Sequence, residues 1–476
     1  MTTTLAAAPP GAEPYPRRWA AAVVMMIAAL MDLLDVTIVN VAIPSVGRDL
    51  HASQSDLQWL VSAYLLGFAA TLIVSGHLGD RFGRRGLFLA GTAGFGLASL
   101  ASGLAQTPGQ LIAARAVQGV MAAVLMPQVL GSFRTLFRGK ERGAAFGMYG
   151  AVAGFASAVG LLLGGLLTDA DLFGWGWRSV FLVNVPVAVG TLVAALVLVP
   201  PTRERSAGRP DVPGSLLLAA GLIAIVLPLV QGRDNGWPLW GWLCLAVGVC
   251  AVAGLGVFEA RRREGGTTVP LLPARAFRLP AFSVGVLVQL LFSIGMQGFF
   301  LVFAIWLQGG EGYTPMQAGV VAVAFSVGSF LTAPAADGLA VRYGRLVLGA
   351  GALLMAGGFG WVWAAVVDAA DVHTGAWPLV PGLVLAGAGL GLLVVPLVNV
   401  VLSAVPGELA GGASGIFATA QQFGGALGAA AVGTVFFDHA ASGLRDALGA
   451  AMPWVVGGFV VSAALCGALP RRSVAA

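Results

Sequence analysis

The chain has 476 residues, 58% hydrophobic and 10% charged, with a formal net charge of +5 and a mean hydropathy of +0.88. Soluble domains carry about 25% charged residues, so this composition excludes a soluble enzyme, and the positive charge is not clustered as a nucleic-acid surface would require. It is scattered through short connectors between apolar runs, where it meets the anionic surface of a membrane.

Residues 1–16 are rich in Ala, Pro and Thr and read as a disordered tail. The apolar run after Arg17 and Arg18 is too long for a signal-peptide core and is read as a retained first span. Apolar runs of about 20 residues, enough to cross a bilayer, then recur at 19–44, 57–78, 87–106, 110–134, 143–168, 178–200, 213–231, 239–258, 281–306, 315–335, 346–367, 379–402, 412–437 and 453–469. The sequence thus predicts an all-α polytopic membrane protein of fourteen spans. Basic residues orient it: with the N-terminus inside, 21 Lys and Arg fall in inside connectors and tails, against four outside (Arg48, Arg178, Arg233 and Arg445). Both termini are therefore expected in the cytoplasm. The basic connectors near 201–212 and 259–280 separate two six-span sets, giving bundles at 17–200 and 281–470, a 201–280 segment holding two extra central spans, and a short tail at 471–476.

Within the spans, charge is scarce and therefore informative. Asp32 and Asp35 lie in the first span, three residues apart and so on one side of a helix. A carboxylate at that depth costs at least a few kcal/mol. Loss of hydration favours the neutral form of a carboxyl group and a like charge alongside adds to this, so such a pair suits taking a proton from one side and releasing it to the other. Arg115, in the fourth span, is the one basic residue inside an apolar run and needs an acidic or dipolar partner. Thr37, Asn40 and Gln118 are candidate hydrogen-bonding companions, and Gln289, Gln297, Phe300, Asn399, Gln421 and Gln422 are candidates for an apolar, aromatic cavity wall with few polar points. Cys244, Cys250 and Cys466 sit in apolar runs and read as buried small hydrophobes. His51, His77, His373 and His439 have no metal-ligand spacing, and no phosphate loop is visible. No metal or cofactor is expected, and the proton gradient is left as the energy source.

The connector Gly76–Arg85 (GHLGDRFGRR) returns loosely as Asp337–Arg345 (DGLAVRYGR), each after the second span of its six-span set, as in transporters built from repeats. Its glycines permit a tight turn, and Asp80 with Arg81, Arg84 and Arg85 can form a charged latch with neighbouring helix ends. Gly76, Gly79, Asp80, Arg81, Gly83, Arg84 and Arg85 resemble the cytoplasmic signature of the major facilitator superfamily. Leu34–Pro44 (LDVTIVNVAIP), Arg115–Gly119 (RAVQG), Trp177–Pro186 (WRSVFLVNVP) and Gln421–Gly428 (QQFGGALG) resemble motifs of its fourteen-span drug/proton antiporter branch. In the fifth span Gly160 is followed by Leu161 where that branch has proline, although Gly164 and Gly165 are in place, and the second-repeat signature has Val341 where an aspartate is expected.

The resemblance implies two rocking six-helix bundles around a midplane cavity, with Arg115 facing the same cavity as the first span. It implies a monomeric, non-enzymatic exporter of small amphipathic drugs or antibiotic-like metabolites in a bacterial cytoplasmic membrane, exchanging them for protons. Proton-coupled uptake, lipid or siderophore export by the same fold, and a non-transporting membrane sensor are the alternatives.

Overall fold

The computed structural model describes residues 15–201, 211–233, 235–261, 274–368, 375–406 and 409–469. Its long helices are α1 (Arg18–Asp49), α2 (Gln54–Phe82), α3 (Arg84–Gly103), α4 (Pro108–Leu136), α5 (Gly139–Asp169), α6 (Asn184–Leu198), α7 (Val212–Gln231), α8 (Leu239–Arg261), α9 (Pro280–Gly309), α10 (Pro315–Tyr343), α11 (Arg345–Val367), α12 (Val380–Ser403), α13 (Ala410–His439) and α14 (Leu444–Cys466). Short turns at Gly176–Arg178 and Ser179–Leu182 lead into α6. Among the described residues, twelve helical segments are long and apolar enough to cross a membrane. Helices α5 and α13, of 31 and 30 residues, are not among these twelve, so the expected count of fourteen is not reached by this measure. Large apolar side chains such as Leu97, Val193 and Phe330 are exposed around the bundle, as they are where lipid replaces water.

Residues 1–14 of the tail expected at 1–16, the tail expected at 471–476 together with residue 470, and the linker stretches 202–210 and 262–273 lie outside the described residues. Tyr15, read as part of the tail, donates from its hydroxyl to Leu198 O at 3.2 Å. The last span begins earlier than its hydropathy indicates. Arg445 and Asp446 dilute the apolar signal, yet α14 starts at Leu444 after Gly443 and carries Pro453 inside it.

The sequence echo has a structural counterpart. Helix α2 passes into α3 through Gly83 alone and α10 into α11 through Gly344 alone, with φ of 104° and 59°, conformations that cost glycine little. Each of these second helices also opens on a capping box, Ser53 with Asp56 and Thr314 with Gln317, which satisfies backbone donors at the helix start. Beside each glycine turn an arginine reaches the end of its half's last helix: Arg85 Nη2 donates to Leu196 O at 2.5 Å and Arg345 Nη1 to Leu469 O at 3.0 Å. In each half the first helix packs on the fifth and the second on the fourth: α1 on α5, α2 on α4, α9 on α13, α10 on α12. Small residues make the close approaches. A Cβ at Gly119 would strike the Tyr64 carbonyl, and one at Gly387 the Phe325 carbonyl; in lipid such packing takes over the role of hydrophobic drive.

The face where α1 begins is rich in arginine, and Arg18 there pairs with Glu141 at 2.9 Å. On the opposite face Arg178 pairs with Asp49 at 2.7 Å, while Arg445 Nε donates to Val366 O at 2.7 Å. The seam between halves is formed by α1 with α9, α2 with α13, and α5 with α10. Its hydrogen bonds include Gln308 Nε2 to Val41 O at 2.8 Å and Met316 N to Asp169 Oδ2 at 2.9 Å, both toward the opposite face. Helix α7 spans this seam: Val230 O accepts from Ser55 Oγ of α2 at 3.1 Å and Leu229 O from Thr434 Oγ1 of α13 at 2.7 Å.

Candidate functional site

The charged residues predicted inside spans converge within the first half. Asp35 of α1 meets Arg115 of α4, with Nη1 to Oδ2 at 2.5 Å. Its Oδ1 accepts from Gln118 Nε2 at 2.9 Å and from Asn184 Nδ2 at 3.0 Å. Arg115 Nη1 also donates to Gln118 Oε1 at 2.7 Å, and Gln118 Nε2 donates to Ser99 Oγ at 2.8 Å. Four helices, α1, α3, α4 and α6, thus supply one closed polar knot. The side chains of Arg115 and Asp35 are 2% and 0% exposed, so the pair is dry and its charges cancel within it, the condition under which a buried ion pair is tolerated.

Local sequence explains the convergence. Gln118 follows Arg115 by three residues and so shares its side of α4. Gly119 brings α4 against α2 at the backbone of Tyr64. The Arg115 guanidinium then lies 4.3 Å from the Tyr64 ring centroid, a cation–π contact that strengthens when desolvated. The hydroxyl of the same tyrosine donates to Asp32 Oδ1. Tyr64 therefore joins the two aspartates' surroundings: its ring under the cation, its hydroxyl on the second carboxyl.

The other expected residues divide into groups. Thr37 donates to Leu34 O at 2.9 Å and packs at Gly160, tying α1 to α5. Asn40 Oδ1 accepts from Gln297 Nε2 at 3.0 Å, a bond across the seam. Phe300 packs with Val41, Leu161 and Ala322, which come from α1, α5 and α10. Gln421 is exposed and Gln422 half-buried in the middle of α13, one turn before Gly425, where a Cβ would stand 3.7 Å from Gln297 Cβ. Gln289 is buried and donates to Ser293 Oγ at 3.1 Å on its own helix. Asn399 lies toward the arginine-rich end and donates to Asp337 Oδ1 at 2.9 Å. In the connector signature, Arg84 Nη2 meets Asp80 Oδ1 at 2.7 Å and also donates through Nη1 to Gly131 O, which ties α2, α3 and α4. A Cβ at Gly79 would overlap the Gln128 amide.

Tyr64, Ser99 and Asn184 were not singled out as site residues by sequence. Asn184 stands in the Trp177–Pro186 motif, and Tyr64 is one of five tyrosines in the chain, placed mid-span, which was the available signal. Among the described residues no group of three or more His, Cys, Asp or Glu is placed to hold a metal ion.

A family model described as Major Facilitator Superfamily matches residues 25–429. The chain is 40% identical over 432 residues to a probable actinorhodin transporter of Streptomyces coelicolor, covering 90% of this chain and 74% of that one. It is 40% identical over 441 residues to a puromycin resistance protein of Streptomyces alboniger, covering 91% and 84%. In fold it is similar to the crystal structure of a D-xylose–proton symporter, with a TM-score of 0.67 at 15% identity over 95% of this chain and 98% of that one.

Proposed function

Because the chain belongs to the major facilitator superfamily, we propose that it exports amphipathic drug-like or antibiotic-like compounds from a bacterial cell in exchange for protons. Similarity to antibiotic transport and resistance proteins over most of the chain supports the efflux reading. The observation that carries proton coupling is the buried knot of Asp35, Arg115, Gln118 and Asn184 with Asp32 alongside, since ionisable groups at this depth are expensive to keep without a role. The apolar runs support fourteen spans, and the basic residues support an orientation with both termini and the arginine-rich face in the cytoplasm. The two six-helix halves rock about the seam, and the cavity wall is drawn from Asn40, Gln297, Phe300, Gln421 and Gln422. The protein acts as a monomer in the cytoplasmic membrane and needs no cofactor beyond the proton gradient.

The test is proton flux in proteoliposomes with an imposed pH gradient, on adding a panel of lipophilic cations and of neutral and anionic antibiotics. Compound-evoked proton movement is expected in the wild type and not in the Asp32→Asn/Asp35→Asn double variant. Equal flux in both would remove the aspartates from coupling. The Asp80–Arg84 pair is proposed as part of a latch that favours one facing state. Being partly exposed, it is worth at most about 1 kcal/mol, so Asp80→Asn is expected to slow efflux by about fivefold with the protein's melting temperature unchanged. An unaltered rate would reduce the pair to an anchor.

A further inference from the structure

The two aspartates of α1 have opposite surroundings. Asp35 takes a guanidinium and two amide donors, so its charge is matched and three of its about four lone-pair sites are occupied. Asp32 is 3% exposed, and its one protein donor among the described residues is the Tyr64 hydroxyl, on Oδ1. The other oxygen has none. The titratable and charged groups that face Asp32 are Tyr64 of α2, Tyr149 of α5, Asp35 one turn further along α1, and Arg115 of α4. The single cation among them is already engaged by Asp35.

Charge parity then separates their roles. An unpaired charge removed from water costs several kcal/mol, and nothing beside Asp32 cancels one except a proton. A proton placed on Asp35 would instead strand the charge of Arg115 in the same dry knot. Protonating Asp35 also weakens the three hydrogen bonds its carboxylate accepts, whereas Asp32 has an oxygen without a protein donor to receive the proton. Asp32 is also nearer the start of α1 by three residues, about 4.5 Å along the helix, and so nearer the face away from the closed end of the seam.

We infer that Asp32 is the carboxyl that takes up and releases the transported proton, and that Asp35 is a fixed counter-ion holding Arg115. The inference rests on the proton-coupled reading and assigns its steps: the O–H bond forms at the unbonded Asp32 oxygen, and the proton leaves from that atom when the site opens to the other side. Tyr64 acts as a positioning residue, since its ring follows Arg115 while its hydroxyl holds Asp32.

Infrared difference spectra of the purified full-length protein in lipid, titrated above the ordinary carboxylate range of about 4, test this without any transported compound. The wild type is expected to show a protonated-carboxyl carbonyl band that disappears in Asp32→Asn, remains in Asp35→Asn and shifts in frequency in Tyr64→Phe. Persistence of the whole band in Asp32→Asn would overturn the assignment. Should Asp35→Asn not fold, the Asp32→Asn and Tyr64→Phe spectra decide, because neither variant leaves a charge unpaired. A band assigned to Asp32 in a protein that moves no compound would count against the export reading alone; compound-evoked proton flux without such a band would count against Asp32 alone.

Discussion

Arg115→Met is expected to abolish gradient-driven efflux and to lower the thermal stability of the purified protein sharply. The side chain is 2% exposed and donates to Asp35, Gln118 and the Leu60 carbonyl. Removing one member of a buried pair leaves the other charge without a partner, at a cost of about 3–5 kcal/mol. In a domain of marginal stability that is a large fraction of the whole. The compensating variant separates the two effects. Asp35→Asn/Arg115→Met removes both charges and is expected to recover most of the lost melting temperature while efflux stays absent, because Tyr64 then has no cation above its ring to follow. Thermal unfolding in detergent and dye efflux from vesicles measure the two readouts. If the double variant melts as low as the single one, Arg115 supports the fold by packing against Tyr64 and Phe181, 4.3 and 5.7 Å from its guanidinium, and not by charge matching.

Charge made part of this site legible in the sequence. Asp32, Asp35 and Arg115 stand out because an ionisable residue within an apolar run is rare and costly. Gln118 was legible as a candidate companion, on the same footing as Thr37 and Asn40 and within the Arg115–Gly119 motif. Hydroxyls and amides give a weaker signal: they satisfy themselves on their own helix at little cost, as Thr37 does with Leu34 O and Gln289 with Ser293. Ser99 and Asn184 are of the same residue types, and what distinguishes them is contact with partners 19 and 149 residues away. No local period encodes such contacts. The repeat was legible because its marker is conformational: Gly83 and Gly344 sit at positive φ in equivalent turns, and the residues around such a turn keep a recognisable pattern. Span ends were less so, as α14 illustrates, because a helix continues past the charged residues that end a hydropathy run.

The second large effect is expected at the seam. Gly165→Val and Gly319→Val should each drive the halves apart at the face opposite the arginines. A Cβ at Gly165 would stand 2.6 Å from Met316 Cα and 2.7 Å from Pro315 O; one at Gly319 would stand 2.5 Å from Leu161 O. All these neighbours are backbone atoms of the other half, which cannot turn aside as a side chain can. Overpacking of this kind costs about 1–3 kcal/mol. It falls only on the conformation in which the seam is shut, so it acts as a differential term between two states. A bias of that size moves the ratio of states by roughly 5- to 150-fold, and export cycles that must return through the shut form slow accordingly. A cysteine introduced at Met316, which carries its backbone N–H onto Asp169 across the seam, reports the change. Its labelling by a membrane-impermeant thiol reagent should be slow in the wild-type background and fast in Gly165→Val, with efflux lost in parallel. Slow labelling in both backgrounds would mean that the seam absorbs the added methyl groups by sliding, and α5 and α10 would then not form the closed gate of this transporter.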